Sequence, residues 1–146
     1  ELQTAEIPFG SLAPGEDTVT VGSSTIPTDI RPTGNTGIDI NLDGLRMCPD
    51  GFAVGTCPVT STSSIAVGNQ FYQLTPFTVS TSTGVALTGS PTELEINVPK
   101  ATTTPDGTQP IGTAYWALQI PDTITFAGAY TGRNTFQVLI TETGEW

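Results

Sequence analysis

TAYWALQIPDTITFAGAYTGRNTFQVLITET, residues Thr113–Thr143, is the stretch whose reading decides the fold. Trp116, Leu118 and Ile120 alternate with Tyr115, Ala117 and Gln119, a period of two that turns one apolar row toward a core and a mixed row outward. Phe136, Val138 and Ile140 alternate with Thr135, Gln137 and Thr141 in the same way, so a second strand with those three residues inward is predicted. Between the two, Pro121–Arg133 holds Gly128 and Gly132 around Tyr130. That spacing suits a turn followed by a tyrosine whose ring packs while its hydroxyl finds a backbone partner. The stretch therefore reads as a closing hairpin. Trp116 shares the phase of Leu118 and Ile120, which makes it a core tryptophan rather than a sugar-stacking platform.

Outward from this hairpin the same period recurs. Ile38, Ile40 and Leu42 are predicted inward and Asp39, Asn41 and Asp43 outward, on a strand ending at an Asp-Gly turn. Leu94, Ile96 and Val98 share one face of a strand over 93–98. Residues 18–21 and 25–31 carry strand character, and 59–67 with 70–74 read as a hairpin around Gly68-Asn69, continued past Pro76 by 77–81. Residues 100–112 are rich in threonine, proline and glycine and read as a long loop. Glu1–Gly15 is extended, with Pro8 and Pro14 excluding a helix and Pro8 unable to donate to a ladder, which makes the segment an edge strand or one that changes partner part-way. No window shows helical spacing free of proline or glycine, so eight to ten short strands are expected. The fold class is all-β, a sandwich of antiparallel sheets.

The 146 residues suit one domain with one continuous core. Charged residues make up 12%, about half the usual ~25% share, which fits hydroxylated outer faces and many turns. Fourteen acidic residues stand against four basic ones, a formal charge of −10. Such a surface repels phosphate backbones, so nucleic acid and anionic membranes are not expected partners. No run approaches the ~18 apolar residues of a transmembrane helix.

Cys48 and Cys57 lie in CPDGFAVGTC. Their proximity, with Pro49, Gly51 and Gly55 between them, favours a local disulfide in an oxidising compartment, contributing about 2.5–3 kcal/mol in the chain-entropy picture. With no histidine in the chain and no second cysteine pair, a tetrahedral metal set is the weaker reading. Asp39-Ile-Asn41-Leu-Asp43-Gly44 matches the first half of a calcium loop, and Asp50 falls where its closing carboxylate would stand. Asp39, Asn41, Asp43 and Asp50 are therefore the candidate calcium ligands, against the alternation of Ile38, Ile40 and Leu42, which favours a strand, and Arg46 at the usually apolar eighth position. The absence of histidine also excludes Ser-His-Asp and Cys-His catalysis. The chain is read as having no enzymatic activity and requiring no cofactor.

The pattern Pro121, Ala127-Gly128-Ala129-Tyr130-Thr131-Gly132 followed by an alternating strand resembles the closing hairpin of Ig-like sandwiches in prokaryotic surface and fimbrial proteins, spore coat U-type domains included. IPTDIRPTGNTGIDINLDG, Ile26–Gly44, resembles the strand–GN–strand passage of secreted Ig-like modules. The resemblance implies an extracellular, cell-surface location and a structural role, without a chemistry. On this basis the chain divides into an extended N-terminal strand, 1–15, a candidate for donation to a neighbouring subunit, and a single sandwich domain, 16–146. The expected function is that of a structural subunit of a filament or coat, its partner being itself in a helical homopolymer. Leu2, Ala5, Ile7 and Phe9 are the candidate anchors of the donated strand, with Leu139 and Trp146 contributing to lateral contacts. The first rival is an adhesin or carbohydrate-binding module, which predicts exposed aromatics such as Tyr72 and Tyr115 and glycan partners; the second is an acidic-pair hydrolase, which predicts two close carboxylates in a cleft.

Overall fold

The computed structural model describes residues 1–3, 6–18, 25–60, 62–79, 84–101 and 109–140. Ala5 and Trp146 lie outside these residues, as do parts of the strands expected over 18–21 and 77–81. The strands are β1 (Ile26–Ile30), β2 (Ile38–Pro49), β3 (Gln70–Gln73), β4 (Val85–Ala86), β5 (Thr92–Val98), β6 (Gly112–Leu118) and β7 (Tyr130–Ile140), with a 3-10 turn at Val67–Asn69. They form two sheets, a four-stranded one in the order β1-β6-β3-β4 and a three-stranded one in the order β5-β2-β7. Every pairing within them is antiparallel. The all-β sandwich expected from the period-two rows is the observed architecture.

The inner rows meet as their phase requires. Trp116 on β6 is fully buried, with its ring 5.8 Å from Tyr72 on the neighbouring β3 and 5.7 Å, edge-on, from Phe136 on the opposing sheet. Around them Ile38, Ile40 and Leu42 of β2, Leu94 and Val98 of β5, Ile30, Ala114 and Leu87 complete the main core. A second cluster, Met47, Ile65, Leu118, Ile120 and Ile124, fills one end.

Several expectations are corrected. β6 and β7 are no hairpin: β6 pairs with β1 and β3, and β7 pairs with β2. The connection between them carries the chain across the sandwich, which sets the apolar rows of the two strands face to face instead of side by side. β2 does not turn at Asp43-Gly44 but runs on to Pro49. Gly44 pairs with Asn134 and donates its N–H to the Thr88 carbonyl at 3.0 Å. A methyl group at Gly44 would lie 2.4 Å from Leu87 Cδ2, so glycine serves here as a close approach within the strand. The hairpin around Gly68-Asn69 is also absent. Ile65 makes an isolated bridge to Met47, and β3 joins β6 and β4. The 3-10 turn redirects the chain without folding 59–67 back on 70–74. Phe77 and Val79 lie outside any strand, on the outer face of the four-stranded sheet, where they cover Ala117 and pack with Phe71 and Tyr115.

Candidate functional site

The sandwich has two open sides, each bounded by one edge strand of each sheet. On one, β4 and β5 are joined directly by the connection 87–91, which buries Leu87 between the sheets. On the other, β1 and β7 have no such link, and a cavity of about 410 Å³ opens between them. Its walls come from Thr28 of β1, Met47 of β2, Gln70 of β3 and Tyr130–Phe136 of β7, and its cover from Leu2 and Glu6–Phe9.

Residues 1–3 and 6–9 lie across this side as a strap. Leu2 forms an antiparallel bridge with Ile30 at the end of β1. Gln3 donates its N–H to the Asp29 carbonyl at 2.9 Å, and Arg31 donates to that of Glu1 at 2.8 Å. The Glu1 nitrogen donates in turn to the Arg31 carbonyl. Ile7 and Phe9 are half-buried against the main core, and Phe9 touches the second cluster as well. Gly10 follows at φ +77 with no atom within 4 Å of the place a Cβ would take, a backbone state glycine adopts without steric cost. Beyond it the chain is anchored again: Gly15 donates to Ile120 O at 3.0 Å, Ile120 to Glu16 O at 2.8 Å and Thr18 to Leu118 O at 3.0 Å. The strap is thus held at two ends with an unhindered glycine between.

Several polar atoms are buried in the residues that wall the cavity. Gln70, almost fully buried, reaches across the sandwich and donates from Nε2 to the Leu45 carbonyl at 3.2 Å. Thr28 is 0% exposed and its Oγ1 has no hydrogen-bond partner among the described residues, and the same holds for the buried Oδ1 of Asn134. Glu6 and Arg133 bring opposite charges to the same walls. Tyr130 packs edge-on to Phe126 and donates its hydroxyl to the Phe126 carbonyl at 3.0 Å, the backbone partner its setting in the sequence called for. Desolvation raises the Tyr130 hydroxyl above its ordinary range. A second hollow beside the cysteine loop, walled by Leu45, Val59, Val67 and Pro121, is mainly apolar.

β7 has a sheet partner on one side only among the described residues. Val138 and Ile140 keep the phase of Phe136 and pair with Ile40 and Ile38, yet they are 58% and 74% exposed. They were expected in the core. Their row does face inward, but on an edge strand beyond the cover of the opposing sheet. Leu139 is half-buried on the outer face, opposite Asp39.

The four candidate calcium ligands are not gathered. Asp39, Asn41 and Asp43 alternate along one face of β2 at about 6–7 Å per step, and Asp50 stands past the strand's end. Among the described residues no group of three or more acidic, cysteine or histidine side chains is placed to hold a metal. Asp39 instead accepts the Asn97 N–H on Oδ1 at 2.7 Å. This closes a bulge at which β5 slips register against β2, with Asn97 at φ +49. Cys48 and Cys57 are bonded to each other. Their loop is tied down by Arg46, which donates from Nη1 to the Cys57 carbonyl at 3.1 Å, and by Asp50 N–H to Ala129 O at 3.1 Å.

Of the aromatics expected exposed on a binding module, Tyr72 is 2% exposed and Tyr115 half-buried. Tyr72 pairs with Trp116 and shares its inner face. Sequence reasoning missed the cavity altogether, since its walls run from Leu2 to Phe136 and no local pattern unites them. No helix among the described residues is long and apolar enough to cross a membrane, which leaves β-barrel spans unaddressed. Comparison with protein-family models, with curated proteins and with solved structures finds no match to this chain.

Proposed function

We propose that this chain is a structural subunit of an extracellular filament or surface coat, in which the strap Glu1–Phe9 of one copy takes the place of the same segment on the next. The observation that carries this reading is the strap itself. Ile7 and Phe9 plug a groove beside an edge strand, β7, that has a sheet partner on one side only among the described residues, and an unhindered Gly10 follows at once. A strap that leaves its own groove for a neighbour's makes the same contacts there, so the exchange costs little beyond association and the bending of residues 10–12. Each copy then gives with one surface and receives with another, a head-to-tail contact that extends into a helical polymer. The apolar row of Val138 and Ile140 on β7 offers further area to a second copy.

A disulfide is compatible with a secreted protein, and the resemblance of the 121–132 passage to surface and fimbrial sandwiches supports the same address. The reading involves no catalytic step and no cofactor. It is tested by deleting Glu1–Pro8 and comparing both proteins by electron microscopy and circular dichroism. The intact chain should form filaments, and the truncated one should stay a folded monomer. Filaments of normal appearance from the truncated chain would remove the strap from the assembly.

A further inference from the structure

We infer that Asp50-Gly51, in the loop closed by Cys48 and Cys57, is a site of spontaneous backbone modification: in the folded chain Asp50 converts to isoaspartate through a cyclic imide, while the fold protects Asp43-Gly44. This is independent of whether copies of the chain polymerise. The sequence holds three Asp-Gly pairs, at 43–44, 50–51 and 106–107, and the last lies outside the described residues. Aspartate before glycine is the pair most open to this chemistry, because no side chain shields the following nitrogen. Ring closure asks two things of the backbone: an unbonded glycine N–H, and room for the peptide to swing that nitrogen onto the aspartate's carboxyl carbon.

Asp50-Gly51 meets both. Phe52 donates its N–H to the Pro49 carbonyl at 3.3 Å, so residues 49–52 form a β-turn with Asp50-Gly51 as its central peptide. Gly51 stands at φ +94, the sign that the third residue of a type II turn requires. The turn's hydrogen bond leaves the central amide out, and the Gly51 N–H has no partner among the described residues. Both residues are exposed, and nothing lies within 4 Å of the place a Cβ would take on Gly51. Type I and type II turns differ by a flip of this peptide, and glycine accommodates φ of either sign. The flip sweeps the Gly51 nitrogen past the Asp50 carboxyl while the bond from Asp50 N–H to Ala129 O and the disulfide keep the turn in place. Asp43-Gly44 lacks both conditions. The Gly44 N–H is given to Thr88 O at 3.0 Å, and a methyl group at Gly44 would lie 2.4 Å from Leu87 Cδ2, so this peptide turns only if the β4/β5 join opens.

The reaction needs no co-reactant but water. The Gly51 nitrogen forms a bond to Asp50 Cγ, and its proton leaves with the carboxyl hydroxyl as water, closing the imide. Water then adds to one of the two imide carbonyls. Opening at the main-chain carbonyl routes the backbone through the side-chain carbon, one methylene longer inside the disulfide ring, and frees the former main-chain carbon as a carboxylate.

The experiment ages the full native chain in mildly acidic buffer and assays isoaspartate with a protein-isoaspartate methyltransferase and a labelled methyl donor. Trypsin then sorts the pairs, since cleavage after Arg46, Lys100 and Arg133 places Asp43, Asp50 and Asp106 in separate peptides. Label in the peptide 47–100 is expected to rise at least about tenfold faster than in the peptide ending at Arg46, because Asp43 reacts only after its strand opens. In the reduced, denatured chain the two rates should come within about threefold, as the fold's protection is then gone. Hydroxylamine, which cleaves the imide, should split the aged chain between Asp50 and Gly51, with the fragments held together until the disulfide is reduced. Asp50→Glu, which would have to close a larger ring, should remove both the label from 47–100 and the cleavage. The inference is overturned if 47–100 gains no label, if native Asp43 reacts as fast as Asp50, if the difference persists after denaturation, or if the label survives Asp50→Glu.

Discussion

The two open sides of this sandwich are closed by different means. On the β4/β5 side the chain crosses directly from one sheet to the other, Leu87 is sealed at 1% exposure, and Gly44 donates its N–H to Thr88 O across the join. The join is short and covalent, with Leu87 buried beneath an exposed run over 88–91. On the β1/β7 side the cover is the N-terminal segment, half-buried through Ile7 and Phe9, over a cavity of about 410 Å³. A sandwich needs both sides shut to protect its core, but only a closure that can be undone is available for exchange with another molecule. On the proposed reading, the difference gives stability to one side and exchange to the other.

The sharpest way to break this comparison is to truncate one residue on each side. Leu87→Ala should cost about 3–4 kcal/mol, as expected for a fully buried leucine in the main core. Phe9→Ala should cost about 1–2 kcal/mol, because its ring is only half-buried and beside an existing cavity. Urea titration of both variants decides it, and equal losses would mean that the strap is as integral to the fold as the β4/β5 join.

A smaller effect belongs to Asp39. Its Oδ1 accepts the Asn97 N–H in the bulge where β5 meets β2, so Asp39→Ala leaves a donor without a partner and should cost about 1–3 kcal/mol. Asp39→Asn keeps an acceptor and should lose less. A melting temperature unchanged by excess chelator is expected alongside; a fall on chelation would return Asp39 to metal binding.

The smallest effect is at alkaline pH. Burial raises the Tyr72 hydroxyl above its ordinary 10.0, so the folded state keeps a proton that the unfolded state releases. The unfolded chain then binds fewer protons once pH passes 10. The contribution is intact below that value and is lost as pH rises through the folded pKa. Tyr72→Phe should flatten the fall in stability above pH 10; an unaltered slope would place its origin elsewhere.

The inner rows of β2, β5 and β6 were legible because an antiparallel strand with one buried face writes its burial as a period of two. Pairing was not. Nothing local in Thr113–Ile140 distinguishes a hairpin from a connection that crosses between sheets, since both need the same alternation and the same turn residues. Val138 and Ile140 show the limit from the other direction: their phase was right and their burial wrong, because cover depends on where the opposing sheet stops. Asp39 reads locally as a calcium ligand, and its actual partner is 58 residues away. The strap was visible as an extended, proline-marked segment, but its groove is assembled from strands of both sheets and could be seen only in the fold.

The central claim, that the strap passes from one copy to the next, is tested most directly by a covalent trap. Glu1 and Arg31 exchange backbone hydrogen bonds, which sets such a pair about 5.5 Å apart at Cα, within reach of a disulfide. Glu1→Cys with Arg31→Cys therefore forms a bond wherever the strap lies, while Cys48 and Cys57 remain paired to each other. Filaments assembled with the new thiols reduced, then oxidised and run on a non-reducing denaturing gel, should give a ladder of covalent multimers. Filaments that yield only oxidised monomer would show that every strap stays on its own subunit, and would contradict the account.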